Sequence, residues 1–398
     1  MKKTNVPLWT PEFIGYGISS SVFYVVQYII VAALPIVIAT VFHGSAFDAG
    51  MTMTCFQIGC ILSRPFAGEL IDRLNKKKML FFTTGLFFVI TALFNFSPSI
   101  EYLFVYRFFQ GVLFAIGTTA VATVAVLILP KQRKGEGIGY FAMFVNIAMV
   151  VGPFCGLLIL DVAGAQALFL FLAIIGLIGF YAANRKPLPA SISAPPPQVQ
   201  HKKWSIERFI ERQALPWAVM GLFVSFIYSG ILVFIPIMMT QLGIGTMASY
   251  FFVIFAAVIV ITRPIVGRVY DFYGSAYLIY PGYLFFIVGI IMLAYADSTF
   301  SILLTAPILG LGYGAIAPAF QTLSVESAPM HRAGSATSTY FFFFDIGIGI
   351  GAVLLSFIAD HYGFSGMYWL NAIVAIVALL LYHFVIRKKA KVQLNQVQ

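Results

Sequence analysis

Asp345 and Arg107 are the residues whose type and setting could do chemistry. Asp345 follows Tyr340-Phe341-Phe342-Phe343-Phe344 about eleven residues into a long apolar run, so a helix there carries its carboxyl close to the middle of a bilayer. Apolar surroundings disfavour the charged form of a carboxyl, and a group in that position can load and release a proton as its access changes. Arg107 lies in Arg107-Phe108-Phe109-Gln110-Gly111, inside another apolar run. A guanidinium at membrane depth costs about 2.5–3.5 kcal/mol on insertion scales, so it needs a partner, water, or a route to the outer interface near Glu101. Gln27 and Tyr28 in the first run, with Tyr228 and Tyr313 later, are further polar groups of the kind that face a bundle interior. They are candidates to line a substrate site together with Gln110 and Asn146.

These groups must be held by membrane helices. The chain is 61% apolar and 10% charged with a mean hydropathy of +0.95, far from the roughly 25% charge of soluble domains. Twelve apolar runs, at 13–41, 49–70, 79–97, 102–129, 137–160, 166–184, 215–239, 246–270, 276–296, 300–326, 334–358 and 365–386, are long enough to cross about 30 Å of hydrocarbon. The net charge of +10 is arranged by side. With residue 1 cytoplasmic, every Lys and Arg except Arg107 falls at an inner end or loop, while the outer loops carry Asp48, Glu101, Asp161, Asp297 and Asp360. That bias orients a polytopic protein with both termini inside and attracts anionic lipid; it is not a nucleic-acid footprint. Cys55, Cys60 and Cys155 lie within runs and form no metal or disulfide pattern. The five histidines are scattered, which argues against an enzyme acting on lipid-linked substrates.

The chain is built twice. Arg64-Pro65-Phe66-Ala67-Gly68-Glu69-Leu70-Ile71-Asp72 returns as Arg263-Pro264-Ile265-Val266-Gly267-Arg268-Val269-Tyr270-Asp271, an offset of 199. The same offset pairs Gly111 with Gly310, Pro130 with Pro329, Arg133 with Arg332, Gly135 with Gly334, Gly152 with Gly351 and Asn146 with Asp345. A repeat at fixed period sets the architecture: residues 1–184 form one six-helix bundle and 215–398 the other. Between them, 185–214 holds a basic, proline-rich linker, followed by an amphipathic stretch from Trp204 to Gln213 read as a short interfacial helix. Asp72 and Asp271 are placed to accept backbone N–H groups at the starts of the eleventh and fifth helices, with Arg64, Arg73, Arg133 and Arg332 nearby. These contacts would form an inner gate.

Gly68, Asp72, Arg73, Lys76 and Lys77 resemble the signature loop G-x-x-x-D-R-x-G-R-K of the major facilitator superfamily, with Asn75 where the second glycine stands and expected to take its left-handed turn. Arg107, Gln110 and Gly111 are similar to the family's R-x-x-Q-G element, often assigned to proton coupling. Gly152-Pro153-Phe154-Cys155-Gly156 is similar to the G-P-x-x-G element of its antiporters, although Ala148 and Leu157 depart from the longer pattern. The resemblance spans about 13–386. It implies an all-α integral membrane fold of twelve helices in two pseudo-symmetric bundles around a central cavity, transporting by alternating access. The expectation is a monomeric, proton-coupled exporter of small organic, amphipathic molecules, drug-like or siderophore-like, in a bacterial plasma membrane. It would use no cofactor beyond a proton gradient, with Asp345 and Arg107 coupling the proton. The alternative is proton symport of a sugar or other metabolite.

Overall fold

In hydrocarbon each backbone N–H and C=O must be satisfied within its own segment, so apolar runs of this length become helices. The computed structural model describes residues 7–44, 46–186, 188, 209–244 and 247–386. Its helices are α1 (Pro11–Thr40), α2 (Ala46–Arg73), α3 (Lys76–Leu93), α4 (Ile100–Leu127), α7 (Leu215–Gln241), α8 (Ala248–Tyr273), α9 (Ala276–Ala294) and α10 (Thr299–Glu326), with two long bent helices, Lys134–Asn184 and Ala333–Leu381. The first bends at Gly164 (φ 78°) and the second at Gly363 (φ 68°). A side chain is strained at positive φ, so glycine makes each bend possible. We name the limbs α5 (134–163), α6 (165–184), α11 (333–362) and α12 (364–381). Among the described residues nine helices are long and apolar enough to cross a membrane, both bent ones included; α2, which carries Asp48, Arg64, Glu69, Asp72 and Arg73, is not among them.

The bends correct one expectation. Asp161 and Asp360 lie within continuous helix rather than in outer loops, because a single glycine turns the chain. Asn75 is a second correction. Its φ of −62° is not left-handed; it caps α3, its side-chain oxygen accepting from Lys78 N at 3.1 Å. Gly274, 199 residues on, takes the positive φ (86°) instead. Most of the linker and of the proposed interfacial helix lies outside the described residues. Residues 209–214 are turn and bend rather than helix, and Phe209 meets Phe66 edge-on at 5.1 Å.

Compactness divides the chain into two units. The first comprises Met1–Gln132, Phe144–Glu211 and Met330–Ser338; the second comprises Arg133–Met143, Arg212–Pro329 and Thr339–Gln398. Compared with a split at the linker, the openings of α5 and α11 are exchanged. The duplicated plan is visible inside the units: Arg64 donates to Ala115 O at 3.1 Å, and Arg263 donates to Gly314 O at 3.1 Å, each partner shifted by 199.

Lys77, at the start of α3, ties that helix to the end of α6 in the first unit. Its Nζ donates to Ala183 O (3.3 Å), Asn184 O (2.9 Å) and Lys186 O (2.8 Å), and Asn184 Nδ2 donates to Thr84 Oγ1 (3.0 Å). A cation on the last carbonyls of α6 satisfies groups the helix leaves open. Hydrogen bonds from charged groups contribute about 1.5–3 kcal/mol each at most, so Lys77→Met is expected to lower the thermal unfolding midpoint in detergent measurably. Lys78→Met, at an exposed neighbour, should leave it unchanged. Equal midpoints for the two variants would remove Lys77 from this role.

Candidate functional site

The sequence sets Arg107 in the first third of α4, where an isolated guanidinium could have snorkelled outward. It does not: Arg107 is 0% exposed. Its Nη1 donates to Gln27 Oε1 on α1 (3.0 Å) and Gln110 Oε1 (2.6 Å), and its Nε to Thr52 O on α2 (3.4 Å). Nη2 meets the thioether of Met53 (3.6 Å), and the guanidinium lies 4.2 Å from the Phe56 ring centroid. Gln110 Nε2 in turn donates to Thr91 Oγ1 on α3 (3.2 Å). Among the described residues no carboxylate pairs with Arg107. Its charge rests on neutral acceptors and an aromatic face, a costly arrangement in a low dielectric.

The second copy of the scaffold has no such cluster. The offset of 199 matches Gln27, Thr52, Thr91, Arg107 and Gln110 with Phe226, Phe251, Ile290, Ala306 and Leu309. All five of those are buried and apolar. The fold therefore does not need polarity at these positions. Thr52, Met53, Phe56 and Thr91 escaped the motif reading, yet comparing the halves position by position would have found Thr52 and Thr91.

In the second unit, Tyr228 on α7 is buried and stacks on Tyr313 of α10 (centroids 4.4 Å, 20°), with Phe255 of α8 5.8 Å from Tyr313. Asp345 sits mid-way along α11, half-buried, in the second unit. Asn146, its repeat mate, is buried in the first unit, and its Nδ2 has no hydrogen-bond partner among the described residues. Tyr28 is half-buried on α1, where its Cβ faces Gly152 of α5; Gly156 faces Ile29 one turn on. Pro153 lies between them, so this stretch of α5 packs closely on α1.

The carboxylates at the ends of α2 and α8 each hold a helix start. Asp72 accepts from Gly334 N (2.8 Å), Ser335 N (2.8 Å) and Ser335 Oγ (2.6 Å) at the opening of α11. Asp271 accepts from Gly135 N (2.8 Å) and Glu136 N (2.9 Å) at the opening of α5. Open N–H groups and the positive helix end favour an anion there. Gly68 and Gly267 permit the approach: a Cβ on Gly68 would lie 2.7 Å from Ser335 Cα, and one on Gly267 2.5 Å from Glu136 Cα. The surrounding arginines are anchored separately. Arg73 pairs with Glu69 (2.9 Å), Arg133 with Glu136 (2.8 Å) and Arg332 with Glu211, while Arg64 donates to Thr118 Oγ1 (3.0 Å) and Thr119 Oγ1 (3.1 Å). Arg64 thus ties α2 to α4 inside the first unit, and Ser338 Oγ donates to its backbone carbonyl.

Duplicated apolar helices with a buried polar cluster in one copy, and carboxylates clasping helix starts, define a polytopic membrane transporter. The Major Facilitator Superfamily profile matches residues 16–352 and again 308–398, and the chain belongs to that family. It is a membrane-spanning transporter of small molecules, not an enzyme. Over 354 residues it is 24% identical to an uncharacterized MFS-type transporter of Methanocaldococcus jannaschii, covering 87% of this chain and 91% of that one. Over 370 residues it is 24% identical to the multi-drug resistance efflux pump PmrA of Streptococcus pneumoniae, covering 87% and 88%. The crystal structure of the human organic anion transporter MFSD10 superposes with a TM-score of 0.77 at 12% identity, covering 93% of this chain and 98% of that one, a likeness of fold.

Proposed function

We propose that this transporter is a proton-coupled exporter of small amphipathic organic molecules in the plasma membrane, with its termini cytoplasmic. Asp345 carries the proton, Arg107 is the fixed charge that couples proton and substrate, and Gln27, Tyr28, Gln110, Asn146, Tyr228 and Tyr313 contact the solute. Asp72 and Asp271 hold α11 and α5 in one state of the cycle and release them in the other. The observation that carries the reading is Arg107, fully buried with no carboxylate partner among the described residues, in a polar cluster present in only one copy of the repeat. A charge the fold does not require is retained for use. Likeness to an efflux pump, and the stacked aromatic rings of Tyr228 and Tyr313, support export of apolar solutes. The energy source is the proton gradient and the working form a monomer.

Everted membrane vesicles energised to an acid interior test the direction. Ethidium is expected to accumulate inside vesicles containing the protein and to be released by an uncoupler. Accumulation that requires instead an alkaline interior, with protons and solute entering together, or xylose uptake driven in that way, would replace export with symport.

A further inference from the structure

An amide can be turned over at little steric cost, and which end of Gln110 faces Arg107 decides whether the contact attracts or repels. Arg107 can only donate. The oxygen of Gln110 lies 2.6 Å from its Nη1; the NH2 end in that place would set donor against donor. Thr91 on α3 fixes the choice. Its hydroxyl proton is committed to Phe87 O at 2.7 Å, so only lone pairs face Gln110, and they accept from Gln110 Nε2 at 3.2 Å. The three residues are at most 1% exposed. Packing does not demand this pair, since the second copy fills the two positions with Ile290 and Leu309, both fully buried.

We propose that Thr91 is a positioning residue: by accepting from the Gln110 amide it holds the amide oxygen on Arg107 and so fixes how the guanidinium points. The functional consequence rests on Arg107 being the coupling charge. Thr91 acts from α3, through Gln110.

Thr91→Val keeps the shape and removes the acceptor; Thr91→Ser keeps the acceptor. Two readouts separate positioning from coupling. In purified protein labelled with 15N-arginine, the Arg107 side-chain resonance, assigned through Arg107→Lys, is expected to move in Thr91→Val and to return in Thr91→Ser. In everted vesicles, gradient-driven ethidium accumulation is expected to fall about tenfold in Thr91→Val with a displaced pH profile, and to recover in Thr91→Ser, as loss of a buried hydrogen bond that orients a charged centre's partner implies. A Gln110→Glu background supplies an independent arm: both carboxylate oxygens accept, nothing remains to be oriented, and adding Thr91→Val should leave the Arg107 resonance where Gln110→Glu puts it. This arm also decides the matter if Thr91→Val alone does not fold. An unmoved resonance in Thr91→Val, equal shifts in Thr91→Val and Thr91→Ser, or a further shift in the Gln110→Glu background each overturns the positioning role. A moved resonance alongside full ethidium accumulation in Arg107→Lys and Arg107→Ala retains positioning and removes the coupling reading instead.

Discussion

Asp345→Asn is expected to abolish gradient-driven export while leaving the protein folded. The carboxyl lies half-buried after four consecutive phenylalanines on α11. Asn keeps the size and hydrogen-bonding capacity of the side chain but cannot carry a proton through the cycle. The scaffold tolerates an amide at this register, because the repeat mate of Asp345 is Asn146, buried in the other copy. Accumulation of ethidium in energised everted vesicles should fall to the level of vesicles without the protein, a loss of about a hundredfold or more for a group acting directly in proton transfer. The thermal unfolding midpoint should stay within a few degrees of the parent. Asp345→Glu, which retains an ionisable group, should retain measurable transport. Full accumulation in Asp345→Asn would remove this residue from the coupling machinery and leave Arg107 to be explained without it.

What the sequence could disclose depended on whether a signal repeats or is local. The offset of 199 was visible in the motif ending at Asp72 and again at Asp271, and it carries through to backbone detail: Arg64 and Arg263 bond matching carbonyls, and Gly164 and Gly363 both bend a helix. Asp161 and Asp360 fall between apolar runs that end at 160 and 358 and resume at 166 and 365, which places them in loops by hydropathy, whereas charge at a membrane surface is equally content on the end of a helix. Arg64 was grouped with the gate by its place in the motif, yet its guanidinium reaches sideways to α4. Thr91 was invisible for a different reason. Thr83, Thr84 and Thr91 all return their hydroxyl proton to a carbonyl four residues back, a local habit of helical threonines that sequence cannot distinguish from service to a distant partner. Only the packing of α3 discloses that Thr84 also accepts from Asn184 on α6 and Thr91 from Gln110 on α4, whereas Thr83 keeps to its own helix.

Asp72→Asn is expected to loosen the opening of α11 far more than Asp271→Asn loosens the opening of α5. Asp72 accepts three hydrogen bonds, one from the hydroxyl of Ser335, whereas Asp271 accepts two and has the side chain of Glu136 as a like-charged neighbour. An amide in place of Asp72 retains one acceptor, loses the charge favoured by the helix start, and turns an NH2 toward backbone donors. Charge-assisted bonds contribute about 1.5–3 kcal/mol each, so losing even part of the set should cost on the order of 2–4 kcal/mol of local stability. Hydrogen–deuterium exchange read by mass spectrometry should therefore show peptides covering 334–338 exchanging about 30-fold faster or more in Asp72→Asn. Peptides covering 135–139 should accelerate less in Asp271→Asn, and Ser335→Ala should fall between parent and Asp72→Asn. Export should slow in Asp72→Asn because α11, the helix that bears Asp345, loses the anchor at its first turn. Unchanged exchange at 334–338 would show that the carboxylate does not hold that turn, and equal acceleration at the two helix starts would show that the hydroxyl of Ser335 adds nothing to the clasp.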